Sequence, residues 1–186
     1  MRYKKFETKN IIYTTVIDTP LGDMVAGAIK EGICMLAFVH PLHIDAHLTK
    51  LKDVFDAEVI ACENPYFETL REQLKEYFEG KRKDFTLPLK LVGTPFQVSV
   101  WKELLKIPYG QTISYKTQAT AINMPKSYRA VANANGQNMI DILVPCHRVI
   151  GHDGKLNGYG AGIEKKEFLL RLEGAMAYKF RKSCSR

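Results

Sequence analysis

The chain is 186 residues long, 46% apolar and 25% charged, with a formal net charge of +7. That is the composition of a globular protein able to bury a core, in one domain or two small ones. No apolar run approaches the roughly 18 residues of a membrane helix, and the basic start Met1–Phe6 leads into no apolar signal core. The expectation is therefore a cytoplasmic protein with no membrane attachment.

Charge is unevenly distributed. Residues 1–92 carry 13 Lys and Arg against 14 Asp and Glu, whereas residues 93–186 carry 14 against 6. Such a surplus suits a polyanion, most economically nucleic acid, unless it only keeps the surface soluble. Cys34, Cys62, Cys146 and Cys184 lie far apart with no C-x-x-C pair, which argues against a disulfide framework or a zinc site. Cys34 and Cys62 with His40, His43 and His47 remain the one open metal combination. The thiols read as reduced and intracellular.

Residues 11–39 have the pattern of a three-stranded meander: Ile11–Ile17, Met24–Ile29 and Ile33–Val39, with turns at 19–23 and 30–32 and a stop at His40-Pro41. Residues 43–52 are weakly helical, and Val54–Cys62 reads as a further strand. Asn64-Pro65 opens a helix by capping, with Phe67, Leu70, Leu74, Tyr77 and Phe78 on its apolar face and Gly80 at its end. Phe85–Val92 is extended and holds Pro88, so it is a linker or an edge strand. A boundary near residue 92 gives domains 1–92 and 93–175, with a basic tail over 176–186.

Thr94-Pro95-Phe96-Gln97 is a capping box, and its helix is expected to bury Phe96, Val100, Trp101, Leu104 and Leu105. Ser114 caps a helix over Tyr115–Ile122, Asn123-Met124-Pro125 breaks it, and a second helix runs from Lys126 to Asn135. Two short helices about a tight break are the pattern of a helix-turn-helix, although many such hairpins bind nothing. Apart from Lys126, Arg129 and its Asn residues the second helix is small, which suits a minor groove better than base reading in the major groove. Five glycines between Gly151 and Gly162 make a loop whose backbone can approach a ligand closely. It lacks phosphate-loop context, so no nucleotide cofactor is expected. The last helix, Ile163–Glu173, is expected to pack Phe168, Leu169 and Leu172 before Gly174.

Between helix pair and glycine loop stands Ile142-Leu143-Val144-Pro145-Cys146-His147-Arg148-Val149-Ile150. Ile-Leu-Val and Val-Ile are strand formers, and Pro145 stops a ladder, placing Cys146 at a strand end. Taken alone, the thiol reads as a buried structural cysteine. A nucleophilic thiol needs a nearby base or positive charge. His147 is the candidate base and Glu173 the carboxylate to orient it. Adjacent strand side chains point apart, so His147 is expected to act on Cys146 through a bridging water or after the strand bends at Pro145.

This stretch resembles the active-site signature of the O6-alkylguanine-DNA alkyltransferases, also called methylated-DNA–protein-cysteine methyltransferases. The resemblance runs from Thr94 to Gly174 and includes Thr94-Pro95-Phe96 with Trp101, Ile113-Ser114-Tyr115, Arg129-Ala130-Val131, Asn135-Gly136 with Asn138, and Gly158-Tyr159 through Glu173-Gly174. Residues 1–92 are similar to the family's first domain only in size and element order. The resemblance implies an α+β protein: a small N-terminal antiparallel sheet with helices (ribonuclease-H-like), then a mostly helical, winged-helix-like domain.

It further implies irreversible, single-turnover repair without cofactor or metal. The alkyl group of O6-alkylguanine in double-stranded DNA, with O4-alkylthymine a second candidate, would pass to Cys146 after base flipping. His147 and Glu173 would activate the thiol, Asn138 would tie it to the helix pair, and Tyr115 would donate to the leaving guanine. Arg129 would fill the space of the flipped base, with Lys126, Ser127, Tyr128 and Ala130 around it on the DNA. Val149, Tyr159, Gly160, Arg148 and Lys166 would form the base pocket, the carbonyls of Cys146 and Val149 accepting from the base. Met139, Gly160 and Asn157 depart from the family pattern, where Pro, Ser and Gly occur. The alternatives are a lesion-recognition protein with an inert Cys146 and, more weakly, a cysteine hydrolase.

Overall fold

A computed structural model describes residues 10–39 and 41–176. His40, Cys184, the N-terminal basic stretch and all but the first residue of the expected tail lie outside them. The chain divides into two compact units, one of residues 1–98 with 139–143, the other of residues 99–138 with 144–186.

The first unit is built on a four-stranded sheet ordered β3-β2-β1-β4. Strands β1 (Asn10–Ile17), β2 (Met24–Ile29) and β3 (Gly32–Phe38) form the antiparallel meander. Helix α1 (Pro41–Phe55) carries the chain back so that β4 (Ala57–Ala61) pairs parallel to β1. The sheet is thus antiparallel over three strands and parallel at the fourth, because a 15-residue crossover returns a strand in the same direction. The helix is longer than residues 43–52, and it trims the strand expected over Val54–Cys62. Ile44, Leu48, Leu51 and Phe55 of α1 pack against Ile12, Ile29, Cys34, Met35 and Ala37. Of these Ile12, Met35 and Leu51 are fully buried, each contributing about 1.5–3 kcal/mol.

Helix α2 (Pro65–Phe78) opens as expected: the Asn64 side chain accepts from the Tyr66 amide at 3.0 Å, with Pro65 at the first helical position. It buries Phe67, Leu70, Leu74 and Tyr77, and also Gln73, whose amide pairs with the backbone and hydroxyl of Thr86 at 3.1 and 2.6 Å. That clasp fixes the extended stretch beyond α2. There Ile33 donates to the Pro88 carbonyl at 2.9 Å and Lys90 donates to the Ile33 carbonyl at 2.8 Å. Gly32 makes the approach possible, since its φ is +137° and a Cβ would lie 2.3 Å from the Pro88 oxygen.

Residues 139–143 also join this unit. Leu36 donates to the Met139 carbonyl at 2.8 Å and accepts from the Asp141 amide at 2.6 Å. The stretch Ile142–Val144 is consequently a turn and not the strand expected from its composition, with Ile142 at φ +69°. Pairing to Leu36, roughly a hundred positions away in sequence, overrides local β-propensity.

The second unit contains α3 (Pro95–Leu104) from Ser99 onward, α4 (Tyr115–Ala121), α5 (Tyr128–Gly136) and α6 (Ile163–Leu172). At the start of α3, inside the first unit, the capping box is reciprocal: the Thr94 amide donates to the Gln97 side chain at 2.8 Å and the Gln97 amide to the Thr94 hydroxyl at 3.3 Å. Val100, Trp101 and Leu104 are buried, but Leu105 is 46% exposed because the helix ends one residue earlier. Ser114 caps α4 by accepting from the Thr117 amide at 3.0 Å. The helix pair is locked by Gln118 and Asn135, which exchange amide hydrogen bonds at 2.7 and 3.3 Å, and by Trp101 donating to the Ala134 carbonyl at 2.8 Å. In α6 the buried apolar residues are Leu169 and Leu170, while Phe168 is 40% exposed and Leu172 half-buried.

Candidate active site

No strand leads into Pro145, so it ends no ladder and Cys146 does not stand at a strand end; the chain forms a one-turn 3₁₀ helix, Cys146–Arg148, before entering β6 (Val149–Ile150), which pairs parallel to β5 (Ile113–Ser114). The expectation that alternating strand geometry directs Cys146 and His147 to opposite faces therefore does not apply. All three residues of the turn are buried. The Asn138 amide spans the turn, donating to the Val144 carbonyl at 2.9 Å and to Cys146 Sγ at 3.4 Å. A donor aimed at sulfur favours the thiolate over the thiol.

His147 meets the expected carboxylate directly. Its Nε2 lies 2.8 Å from Glu173 Oε1, with neither side chain exposed. His147 Nδ1 is buried with no protein partner, and burial is the main force holding the imidazole pKa below its ordinary value. Burial also works against an ionised Glu173, but hydrogen bonds from His147 and Arg148 outweigh it and bring the carboxyl down to about 2. The assignment that fits both is a carboxylate accepting from a neutral ring, with Nδ1 as the basic position.

Arg148, expected in the base pocket, is instead clamped on Glu173. Its Nε and Nη2 reach the two carboxylate oxygens at 2.9 and 3.0 Å, and Nη1 donates to the Ile107 carbonyl at 2.6 Å. The Gly110 amide adds a bond to Glu173 Oε2 at 3.1 Å. Gly110 has φ +77°, and a Cβ there would lie 2.8 Å from the Glu173 carbonyl oxygen.

Lys166 is the second buried charge. Its ammonium donates to the carbonyls of Val149 at 2.6 Å, Asn157 at 2.9 Å and Gly158 at 3.3 Å, and Tyr115 Oη stands 3.4 Å away. Tyr115 itself donates to the Asn157 carbonyl at 3.0 Å. Burial lowers Lys166 to about 8 and raises Tyr115 to about 12, and the charge of Cys146 acts on both. The Val149 carbonyl, expected to accept from a base, already holds this lysine.

Tyr115 is also a wall of an open cleft of about 380 Å³, lined by Tyr128, Arg129, Ala132, Asn157, Tyr159 and Gly160 among others. A neighbouring cleft of about 520 Å³ takes in Lys116, Lys126 and His152. Arg129 and Ala130 are exposed on α5, and the Arg129 guanidinium stacks 5.8 Å from the centroid of the Tyr128 ring. Ser127 stands at the start of α5 without a side-chain cap. Sequence reasoning missed Gln118, Gly110 and the Ile107 carbonyl. A polar residue inside an amphipathic helix is a signal for the first, but nothing local marks the others.

Among the described residues no set of three or more His, Cys, Asp and Glu side chains is placed to hold a metal. No described helix is long and apolar enough to cross a membrane. What the fold and site define is a two-unit protein that presents a buried thiol held by Asn138, a buried His147–Glu173 pair on the same turn, and a pair of short helices beside them.

Similarity to known proteins gives that organisation a name. Residues 12–91 match the ribonuclease-like domain and residues 95–175 the DNA binding domain of 6-O-methylguanine DNA methyltransferase. A methylated-DNA–protein-cysteine methyltransferase of Mycobacterium bovis is 55% identical over 90% of this chain and 95% of its own; one of Methanosarcina mazei is 51% identical over 87% and 97%. The crystal structure of Mycobacterium tuberculosis OGT in complex with DNA aligns with a TM-score of 0.73 at 39% identity, covering 89% of this chain and 93% of that one. The chain belongs to the methylated-DNA–protein-cysteine methyltransferase family.

Proposed function

We propose that Cys146 is the acceptor through which this chain repairs O6-alkylguanine in double-stranded DNA. The observation that carries the reading is the buried series Asn138–Cys146, His147–Glu173, with an unpartnered Nδ1 on the histidine. The thiol proton passes through a solvent water to His147 Nδ1. The thiolate attacks the alkyl carbon, an S–C bond forms, the C–O6 bond breaks, and the electron pair leaves on guanine. Tyr115 supplies a proton to the departing base. Its raised pKa keeps the donor protonated at neutral pH. A thioether offers no leaving group here, so each molecule acts once and needs no cofactor.

Docking uses the helix pair α4–α5 in the minor groove, with Lys126, Ser127, Tyr128 and Ala130 at the DNA and Arg129 occupying the space of the extruded base. Flipping costs a few kcal/mol of stacking, which phosphate contacts from the basic second half offset. Tyr159 and Gly160 line the receiving cleft, and Lys166 holds its wall. The division at residue 92 separates a scaffold from this acting half, and the protein works as a cytoplasmic monomer.

The test is an intact mass after incubation with an O6-methylguanine duplex. One added methyl, mapped to Cys146 and absent from Cys146→Ala, is expected. A wild-type protein that binds the duplex but gains no mass would establish lesion recognition instead.

A further inference from the structure

We propose that Arg148 is a positioning residue of the relay: its forked contact to Glu173 supplies the countercharge that keeps the carboxylate ionised while His147 remains neutral. The inference rests on Cys146 being the acceptor. Its basis is geometric. Glu173 Oε1 receives both His147 and Arg148 Nη2, and Oε2 receives both Arg148 Nε and the Gly110 amide. The guanidinium is fixed in turn by the Ile107 carbonyl and by the Tyr109 ring, 5.9 Å from its centre. The Tyr109 hydroxyl is itself anchored on the Leu172 carbonyl at 3.1 Å, so the clamp ties the loop after α3 to the end of α6.

A histidine and a carboxylate alone in a buried site have one cheap way to balance charge, an imidazolium–carboxylate pair, since an isolated buried carboxylate is costly. An imidazolium has hydrogens on both ring nitrogens and accepts no proton. Arg148 removes that need, because the carboxylate is neutralised by a group that does not titrate. The other charges acting on the ring are Lys166 from α6, which like Arg148 opposes its protonation, and Glu173, which favours it. Cys146 precedes it on the same turn. Removing Arg148 leaves Glu173 unbalanced and makes His147 the proton holder, so the base is lost at pH values where the wild type still has it. The fork matters: lysine supplies the charge at one point only, so one carboxylate oxygen keeps just its neutral partner, His147 on Oε1 or the Gly110 amide on Oε2.

The experiment measures single-turnover methyl transfer against pH for the full-length wild type, Arg148→Lys and Arg148→Met. The acid limb of the rate profile is expected to move upward by one unit or more in Arg148→Met, a loss of about tenfold or more near pH 6 that shrinks toward pH 8.5, with Arg148→Lys between. A loss of the same size at every pH would overturn the proposal, because a purely structural role scales the profile without moving it. Nitrogen-15 spectra of His147, taken without DNA, keep the question open to test even where Arg148→Met does not fold. Wild type is expected to show Nε2 protonated and Nδ1 bare at pH 7, and an imidazolium there would overturn the proposal. Absence of any methyl adduct in wild type sinks the acceptor reading alone, since the ring's protonation is read independently.

Discussion

Lys166 carries a charge where a protein least tolerates one, and three carbonyls do not compensate fully: burial leaves its pKa at about 8. Below about 8 both folded and unfolded chains hold the proton, and the burial penalty is at full size. Between 8 and 10.5 the unfolded lysine keeps a proton that the folded one releases, so this residue's contribution rises with pH. Urea midpoints from about pH 8 to 9.5 are expected to rise in wild type relative to Lys166→Met; parallel curves would show that the ammonium is not strained.

Glu173 gives a slope of the same sign in a more acidic window. Its contribution is present above its ordinary value of 4.5 and is lost as pH falls toward about 2. His147 acts earlier in an acid titration, because its lowered pKa makes the unfolded chain take up a proton near 6.5 that the folded chain refuses. Replacing Glu173 by Gln strands the Arg148 guanidinium. A destabilisation of about 3–5 kcal/mol is expected from chemical denaturation.

At the scale of elements, the helix-turn-helix depends on a polar bolt. Gln118 is fully buried, and its Nε2 also donates to the Val100 carbonyl at 3.1 Å. Gln118→Ala leaves the Asn135 amide without its partner and takes one bond from the Val100 carbonyl, an expected cost of about 2–3 kcal/mol in thermal unfolding. Thr94→Ala, which removes one cap, is expected to cost about 1 kcal/mol. The ordering of the two variants discriminates bolt from cap.

These elements also mark what is legible in the sequence. Caps and stops depend on side chains one to three positions apart, so the starts at Asn64, Thr94 and Ser114 can be read from spacing. The Ile142–Val144 turn cannot, because Leu36 in β3 sets it. Periodicity places Leu105 and Phe168 inside, but each falls at or beyond the margin of its helix's buried face. For the site, residue identity points to Cys146, His147 and Glu173, whereas the role of Arg148 depends on where α6 brings the carboxylate.

At the scale of the whole molecule, the charge asymmetry divides the chain close to where the two family domains separate, between residues 91 and 95. Charge says nothing of the five residues, 139–143, that leave the second unit's sequence to join the first. Asn138, which touches the Cys146 sulfur, is the residue immediately before that excursion, and Val144, which it also holds, is the residue immediately after.

β3 lies at one end of its sheet, and the bonds it makes outward are the short contacts to Pro88 and Lys90 and to Met139 and Asp141. Without them a seven-residue, wholly buried apolar strand would offer its backbone to any other extended chain. Those contacts therefore act as a guard against edge-to-edge self-association. Asp141→Pro, which removes the donor to Leu36, is expected to form light-scattering oligomers on mild warming under conditions where the wild type stays clear. Unchanged scattering from a folded variant would show that the stretch around Pro88 guards the strand unaided.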